Sequence, residues 1–209
     1  MKQKTNSRIK IHIFLGAFML FVCIFIGTKD IKAADTMAQL PKGKTFNLLL
    51  KQSVNSSVSD YYTAVDSTYA TKIIFTTEKP TIYTKTSDKL SSYGVDIYIN
   101  GTEIYLYNSV GFKLHAYSQS MFEKFSGITE IKGLKFCDTS SVTMMYYMFS
   151  GCESLTSLDV SNWNTNNVSA MEQIFYNCKH LITLDLNNWN VSKITYMVIC
   201  LLAVNLYKL

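Results

Sequence analysis

Proline, surplus charge and catalytic motifs are what this chain has least of. Pro41 and Pro80 are the only prolines in 209 residues, which excludes a proline-rich stalk or linker. With abundant Ser, Thr, Asn and Tyr, that scarcity suits β-structure and polar surface loops. The net charge of +5 comes from 20 basic and 15 acidic residues, but residues 1–33 hold six of the basic ones and a single acidic one, Asp30. The remaining 14 of each sign cancel, so the basic balance offers no footprint for nucleic acid. There is no Cys-x-x-Cys pair, no histidine-rich cluster, no Gly-rich phosphate loop and no nucleophile elbow. His12, His115 and His180 lack a nucleophile or carboxylate at any motif spacing. The expectation is a non-enzyme with no catalytic, cofactor-binding or metal residue and no cofactor.

What is present begins with a targeting segment. Lys2, Lys4, Arg8 and Lys10 form a basic start, an apolar run follows from Ile11 to Gly27, and a cleavage point lies between Ala33 and Ala34. This reads as a secretory signal peptide over residues 1–33. The competing reading is an uncleaved membrane anchor, since about 17 apolar residues lie at the lower edge of what spans a bilayer. A membrane contact is expected only through that segment. Cys23 does not make a lipoprotein signal, because Val22 is not the small residue needed before it. About 176 residues remain, enough for one or two small domains.

The last third repeats with an offset of 26 residues. Phe149, Cys152, Leu155, Leu158, Trp163, Val168 and Met171 match Phe175, Cys178, Leu181, Leu184, Trp189, Ile194 and Met197. Asp138, Val142, Met145 and Met148 extend the pattern upstream, and Met121, Phe122, Ile128 and Ile131 sit 27 residues before their matches. A one-residue insertion near Gly133–Phe136 explains the slip. The period lies in the leucine-rich-repeat window. In Leu155–Val160, Leu158 and Val160 should face one side of a short strand and Asp159 the other. Steps near three and four through Val168, Met171, Ile174 and Phe175 suggest one helical or 3-10 turn on the return side.

The run MFSGCESLTSLDVSNWNTNNVSAMEQIFYNCKHLITLDLNNWNVSKITYM resembles the BspA-like leucine-rich-repeat surface proteins, a bacterial repeat family of unknown function. The resemblance is strong after Met121 and weak back to Tyr98, and the second clear unit departs from the family pattern at Ile174, Asn177 and Val191. It implies adhesion to host or cell-surface proteins and a place outside the cell, secreted or on the surface of a Gram-positive-type bacterium. The expected architecture is an α+β N-terminal cap over residues 34–120, followed by a leucine-rich-repeat-type β-solenoid with a 26-residue period over residues 121–197, one unit divergent and two clear.

Within residues 34–120, Lys44–Lys51 can form an amphipathic helix, and Lys72–Thr76 and Thr81–Thr84 read as strands. Asn100-Gly101 between Val95–Ile99 and Thr102–Tyr107 predicts a hairpin with positive φ at both central residues. This region caps the repeats, or it is an independent domain preceding them. Cys152 and Cys178 should stack about 4.8 Å apart as buried thiols, with a disulfide as the alternative. Asp159 and Asp185 form a structural ladder or a calcium pair. Trp163 and Trp189 belong to the core or offer a stacking surface to sugars.

After Met197 the pattern breaks, and residues 198–209 run out of register. A permitted back-translation, read from the last base of codon 199, gives MFAGCKSLQT, the missing repeat. The expectation is a frameshift near residues 197–200 that truncates a longer parent protein; an apolar C-terminal strand is the competing reading. Function then has four open readings: an adhesin-like protein-binding module, an architectural surface protein with no host ligand, an enzyme with its site in the N-terminal region, and a non-functional fragment of marginal stability. Ligand identity and oligomeric state are not legible.

Overall fold

The computed structural model describes residues 36–195, which belong to one compact unit. The signal segment, the cleavage point at Ala33 and Ala34, Met197 and the tail 198–209 lie outside the described residues. Chain order is β1 (Ala38–Gln39), α1 (Gly43–Val54), β2 (Lys72–Thr76), β3 (Lys85–Ser87), β4 (Asp96–Asn100), β5 (Glu103–Tyr107), β6 (Phe112–Lys113), β7 (Glu130–Lys132), β8 (Cys137–Asp138), β9 (Ser157–Leu158) and β10 (Thr183–Leu184). Seven of these strands form one mixed sheet in the order β10-β9-β7-β2-β5-β4-β3. The strands β1, β6 and β8 make a second sheet, parallel throughout.

This arrangement corrects the expected architecture of an α+β cap placed before a leucine-rich-repeat-type β-solenoid. The N-terminal strands are not a separate cover. The five-residue β2 pairs in parallel with β5 on one side and with β7 on the other, so the N-terminal region and the repeats share a single mixed sheet. The physical reason is strand length. A two-residue strand such as β9 or β10 makes too few ladder bonds to set its own register, and it takes that register from its longer neighbours. Ile99, Ile104, Ile73, Ile131, Leu158 and Leu184 consequently align in one row across six strands.

Two local expectations also change. The strand expected at Thr81–Thr84 begins at Lys85, leaving Ile82 and Tyr83 exposed beside the sheet edge. In the hairpin, Asn100 pairs with Glu103, so the loop is Gly101-Thr102. Of these residues only Gly101 has positive φ, +58°, which is the type II′ pattern rather than I′. Lys44–Lys51 lies within α1, and Lys72–Thr76 is β2.

The register records the repeat period directly. Ile131 pairs with Leu158, an offset of 27, whereas Met144 bridges Ala170, an offset of 26. The extra residue therefore lies between Ile131 and Met144, where the 3-10 turn Leu134–Phe136 replaces plain extended chain. That turn has a cost one unit later. Trp189 Nε1 donates to Val160 O at 3.3 Å, but buried Trp163 Nε1 has no partner among the described residues. Twenty-six residues before Val160, the carbonyl of Leu134 is taken by Cys137 N–H.

The return side of each unit is a chain of turns, not the helical or 3-10 turn expected from Val168, Met171, Ile174 and Phe175. Bonds run from Tyr176 N to Gln173 O and from Cys178 N to Phe175 O. Positive φ recurs at Ser120, Tyr147 and Gln173 and again at Lys124, Gly151 and Asn177. Each left-handed residue reverses the local curl and so prevents a helix from propagating. The intervening N–H groups point to the next unit: Phe122 N to Met148 O, Phe149 N to Ile174 O, Gly151 N to Tyr176 O.

Inside, one aromatic column joins both halves. Phe46 of α1 and Phe75 of β2 meet Phe122 edge-on at 5.8 and 6.1 Å, and Phe122, Phe149 and Phe175 stack at 5.3 and 5.6 Å. Trp163 stacks on Trp189 at 6.3 Å. Phe149, Cys152, Leu155, Leu158, Trp163, Val168, Met171, Phe175, Cys178, Leu181 and Trp189 are buried, while Leu184 and Ile194 are half-buried.

The open acceptors of the first unit are met by α1. Gly43 N–H donates to Tyr117 O at 2.8 Å, Asn47 Nδ2 to Ser120 O and Glu123 O, and Lys51 Nζ to Glu123 O at 2.8 Å and Tyr61 O at 2.6 Å. Positions 43, 47 and 51 are spaced four apart and lie on one helix face. Burial lowers the Lys51 pKa from the ordinary lysine value of 10.5 to about 8. Between those values the folded chain releases a proton that the unfolded chain keeps, so stability rises with pH. Below about 8 both states are protonated, and the full desolvation cost is present. Buried Cys137, Cys152 and Cys178 act oppositely: their thiol pKa values are raised from 9, Cys178 to about 12, so they withdraw stability as pH climbs past 9. Urea melts should show the free energy of unfolding increasing from pH 8 to pH 9 by up to about 1 kcal/mol. Lys51→Met should remove that rise; a wild-type curve flat over the window would refute the assignment.

Candidate functional site: a tyrosine and lysine surface on the turn side

The residues singled out for chemistry are placed in structural roles. Cys152 Sγ donates to Phe122 O at 3.1 Å and Cys178 Sγ to Phe149 O at 3.2 Å, each thiol tying one unit to the phenylalanine of the preceding one. Both are free thiols, as is Cys137. Asp159 and Asp185 are exposed and accept from the backbone N–H groups of Ser161 and Asn187, closing the turns after β9 and β10. The Ser161 contacts hold the Asp159 carboxyl below the usual carboxylate range. Among the described residues no three His, Cys, Asp or Glu side chains gather as metal ligands, and no helix is long and apolar enough to cross a membrane. His115 and His180 lie apart: His115 Nδ1 accepts from Tyr117 N–H, and His180 Nδ1 is 2.7 Å from Glu153 O.

The surface most suited to binding combines residues that no repeat links. The segment after α1 brings Tyr61 and Tyr62 together, ring centroids 4.0 Å apart. Lys44, on the first turn of α1, holds its ammonium 4.9 Å from the Tyr61 ring centre. The Tyr61 hydroxyl raises the Lys44 pKa, with smaller contributions from Tyr62 and Tyr146. Lys124 Nζ sits 5.7 Å from the Tyr62 ring, and its stem lies over Gly151 of the next unit. Tyr146 and Tyr147 meet edge-on at 5.7 Å. Tyr62 and Tyr176 are 55% and 44% exposed.

Two features make this a surface for recognition rather than for catalysis. Tyrosine offers a large, stiff contact area together with a hydroxyl, at low entropic cost on binding. Lys44 and Lys124 are held against ring faces and form no ion pair among the described residues, whereas Lys72, Lys132 and Lys179 are each paired with a glutamate. Sequence reading missed this site. The Tyr61-Tyr62 and Tyr146-Tyr147 pairs are visible signals, but 84 positions separate Tyr62 from Tyr146, and the third unit has Glu172-Gln173 at the place of Tyr146-Tyr147.

The first register position of the three units, Tyr117 bridged to Met144 and Met144 to Ala170, sets where the repeated part begins. Residues 117–204 match the family model described as Mycoplasma protein of unknown function, DUF285. The match starts at that same Tyr117 and takes in all three described units. The strands β1 to β6, α1 and the Tyr61-Tyr62 pair lie before it. No curated protein and no solved structure matches the chain.

Proposed function

We propose that this chain is a non-enzymatic binding module, displayed outside the cell or secreted, whose ligand is a protein on a host or neighbouring cell. The turn-side surface of Tyr61, Tyr62, Tyr146 and Tyr147 with Lys44 and Lys124 is the observation that carries this reading. Its support is chemical: unpaired cations on ring faces and exposed hydroxyls suit a folded protein partner bearing acidic and apolar groups. The signal-like residues 1–33 and the BspA-like pattern of the repeats support display outside the cell.

The test is binding of the chain from Ala34 onward to immobilised matrix proteins and to whole cells. Saturable binding is expected, weakened at least about tenfold by Lys44→Glu with Lys124→Glu, because reversed rim charges slow encounter and break complementary contacts. Binding confined to the producing cell's own envelope would favour the architectural reading instead. Hydrolytic or transferase activity from the same preparation would refute both.

A further inference from the structure

Equivalent positions lose their cover at the last described unit. In the row of aligned side chains, Ile73, Ile131 and Leu158 are at most 5% exposed, but Leu184 is half-buried. Val160 and Val168 are buried, whereas their counterparts Leu186 and Ile194 are half-buried. Around them, Ile182 is 71% and Val191 46% exposed.

One substitution changes the chemistry of this end as well as its exposure. Thr139 Oγ1 accepts from Asn164 N–H at 2.8 Å and donates to Asn164 O, and Thr165 repeats both bonds with Asn190. These hydroxyls link each unit to the next. The third position in that series is Val191, which has neither donor nor acceptor to offer. The end is thus shaped to meet an apolar surface, and it lacks the polar outer face that keeps a terminal repeat soluble. From Ile182 to Thr195 the only charged side chains are Asp185 and Lys193, so like-charge repulsion is small.

We infer that this face is the interface of a two-fold homodimer. The occupant follows from what the rest of the chain leaves free. The opposite end of the repeats is closed: β2 pairs along β7, and Gly43, Asn47 and Lys51 take the acceptors of the first unit. A second copy therefore finds no complementary end for head-to-tail growth, and the open face of one copy meets the open face of another. Such an isologous contact closes on itself and gives a dimer rather than a fibre. The buried surface extends the contact already made between successive units, with Leu184, Leu186, Val191 and Ile194 at its centre.

Sedimentation velocity on the chain from Ala34 onward tests the proposal. The expected result is a concentration-dependent passage from monomer to dimer with no larger species. Ile182→Lys with Val191→Glu changes exposed side chains only, so the variant should keep the wild-type circular dichroism spectrum while its association weakens at least about tenfold. Lys85→Glu, on the far edge strand β3, should leave association unchanged. A wild-type chain that stays monomeric at every concentration overturns the inference. So does a folded double variant that dimerises as well as wild type, or a series of open-ended assemblies.

Discussion

Phe149→Ala should lower the free energy of unfolding by about 3–5 kcal/mol, the range for truncating a fully buried aromatic. The ring is wholly buried and stacked between Phe122 and Phe175 at 5.3 and 5.6 Å, with Trp163 at 5.9 Å. Removing it opens a void that stiff neighbours on three sides cannot fill, because their backbones are tied by bonds such as Phe149 N to Ile174 O and Phe122 N to Met148 O. The stack also joins the first unit to the third, so its loss should reduce cooperativity between them. Urea denaturation followed by tryptophan fluorescence is the measurement, since Trp163 and Trp189 both belong to the repeats. Tyr176→Ala, at a 44% exposed site, should cost less than about 0.5 kcal/mol. Equal losses at the two positions would show that the column is not the core it is taken to be.

Gly133→Ala is expected to be comparably severe, at about 4 kcal/mol or more, for a different reason. Its φ is +75°, and a β-carbon placed there would lie 1.9 Å from Phe75 O. Relief would require moving β2, the strand on which both halves of the sheet take their register. Gly101 supplies the control: φ is +58°, but nothing lies within 4 Å of the added carbon. Gly101→Ala should therefore cost only the conformational penalty, about 1 kcal/mol. The contrast, read from thermal or urea melts, separates backbone strain from collision. If the two variants melt alike, the close approach of Gly133 to β2 is not what limits the fold.

Much of this arrangement was legible beforehand, and the reasons differ by element. The 26-residue offset was readable because identical neighbours demand identical residues: a phenylalanine that stacks on a phenylalanine must recur at the period of the stack. The slip near Gly133–Phe136 was visible for the same reason. The helix over Lys44–Lys51 and the strand Lys72–Thr76 followed from their apolar spacing. The hairpin turn was misplaced by one residue because Asn100-Gly101 satisfies I′ chemistry, while the pairing of Asn100 with Glu103 selects Gly101-Thr102. The expected helical or 3-10 turn through Val168–Phe175 failed because spacing of three and four also fits successive turns, and the left-handed residues Tyr147 and Gln173 carry no compositional mark. The tyrosine and lysine surface was invisible because its members share neither a period nor a segment.

By itself, then, the sequence determined the repeat, its length, the side chains that line its interior and the scarcity of reactive groups, because each of these is a local demand made of one residue by its copy. Tertiary structure decided what those units belong to. Strands of two residues have no register of their own, so β2 drew the repeats and the N-terminal region into a single mixed sheet. The buried ammonium of Lys51 and the amide of Asn47 closed one end of the column, and no residue of comparable chemistry stands over Leu184, Leu186 and Ile194 among the described residues at the other. Which end of a repeated structure is satisfied depends on groups from elsewhere in the chain, and no period can announce them.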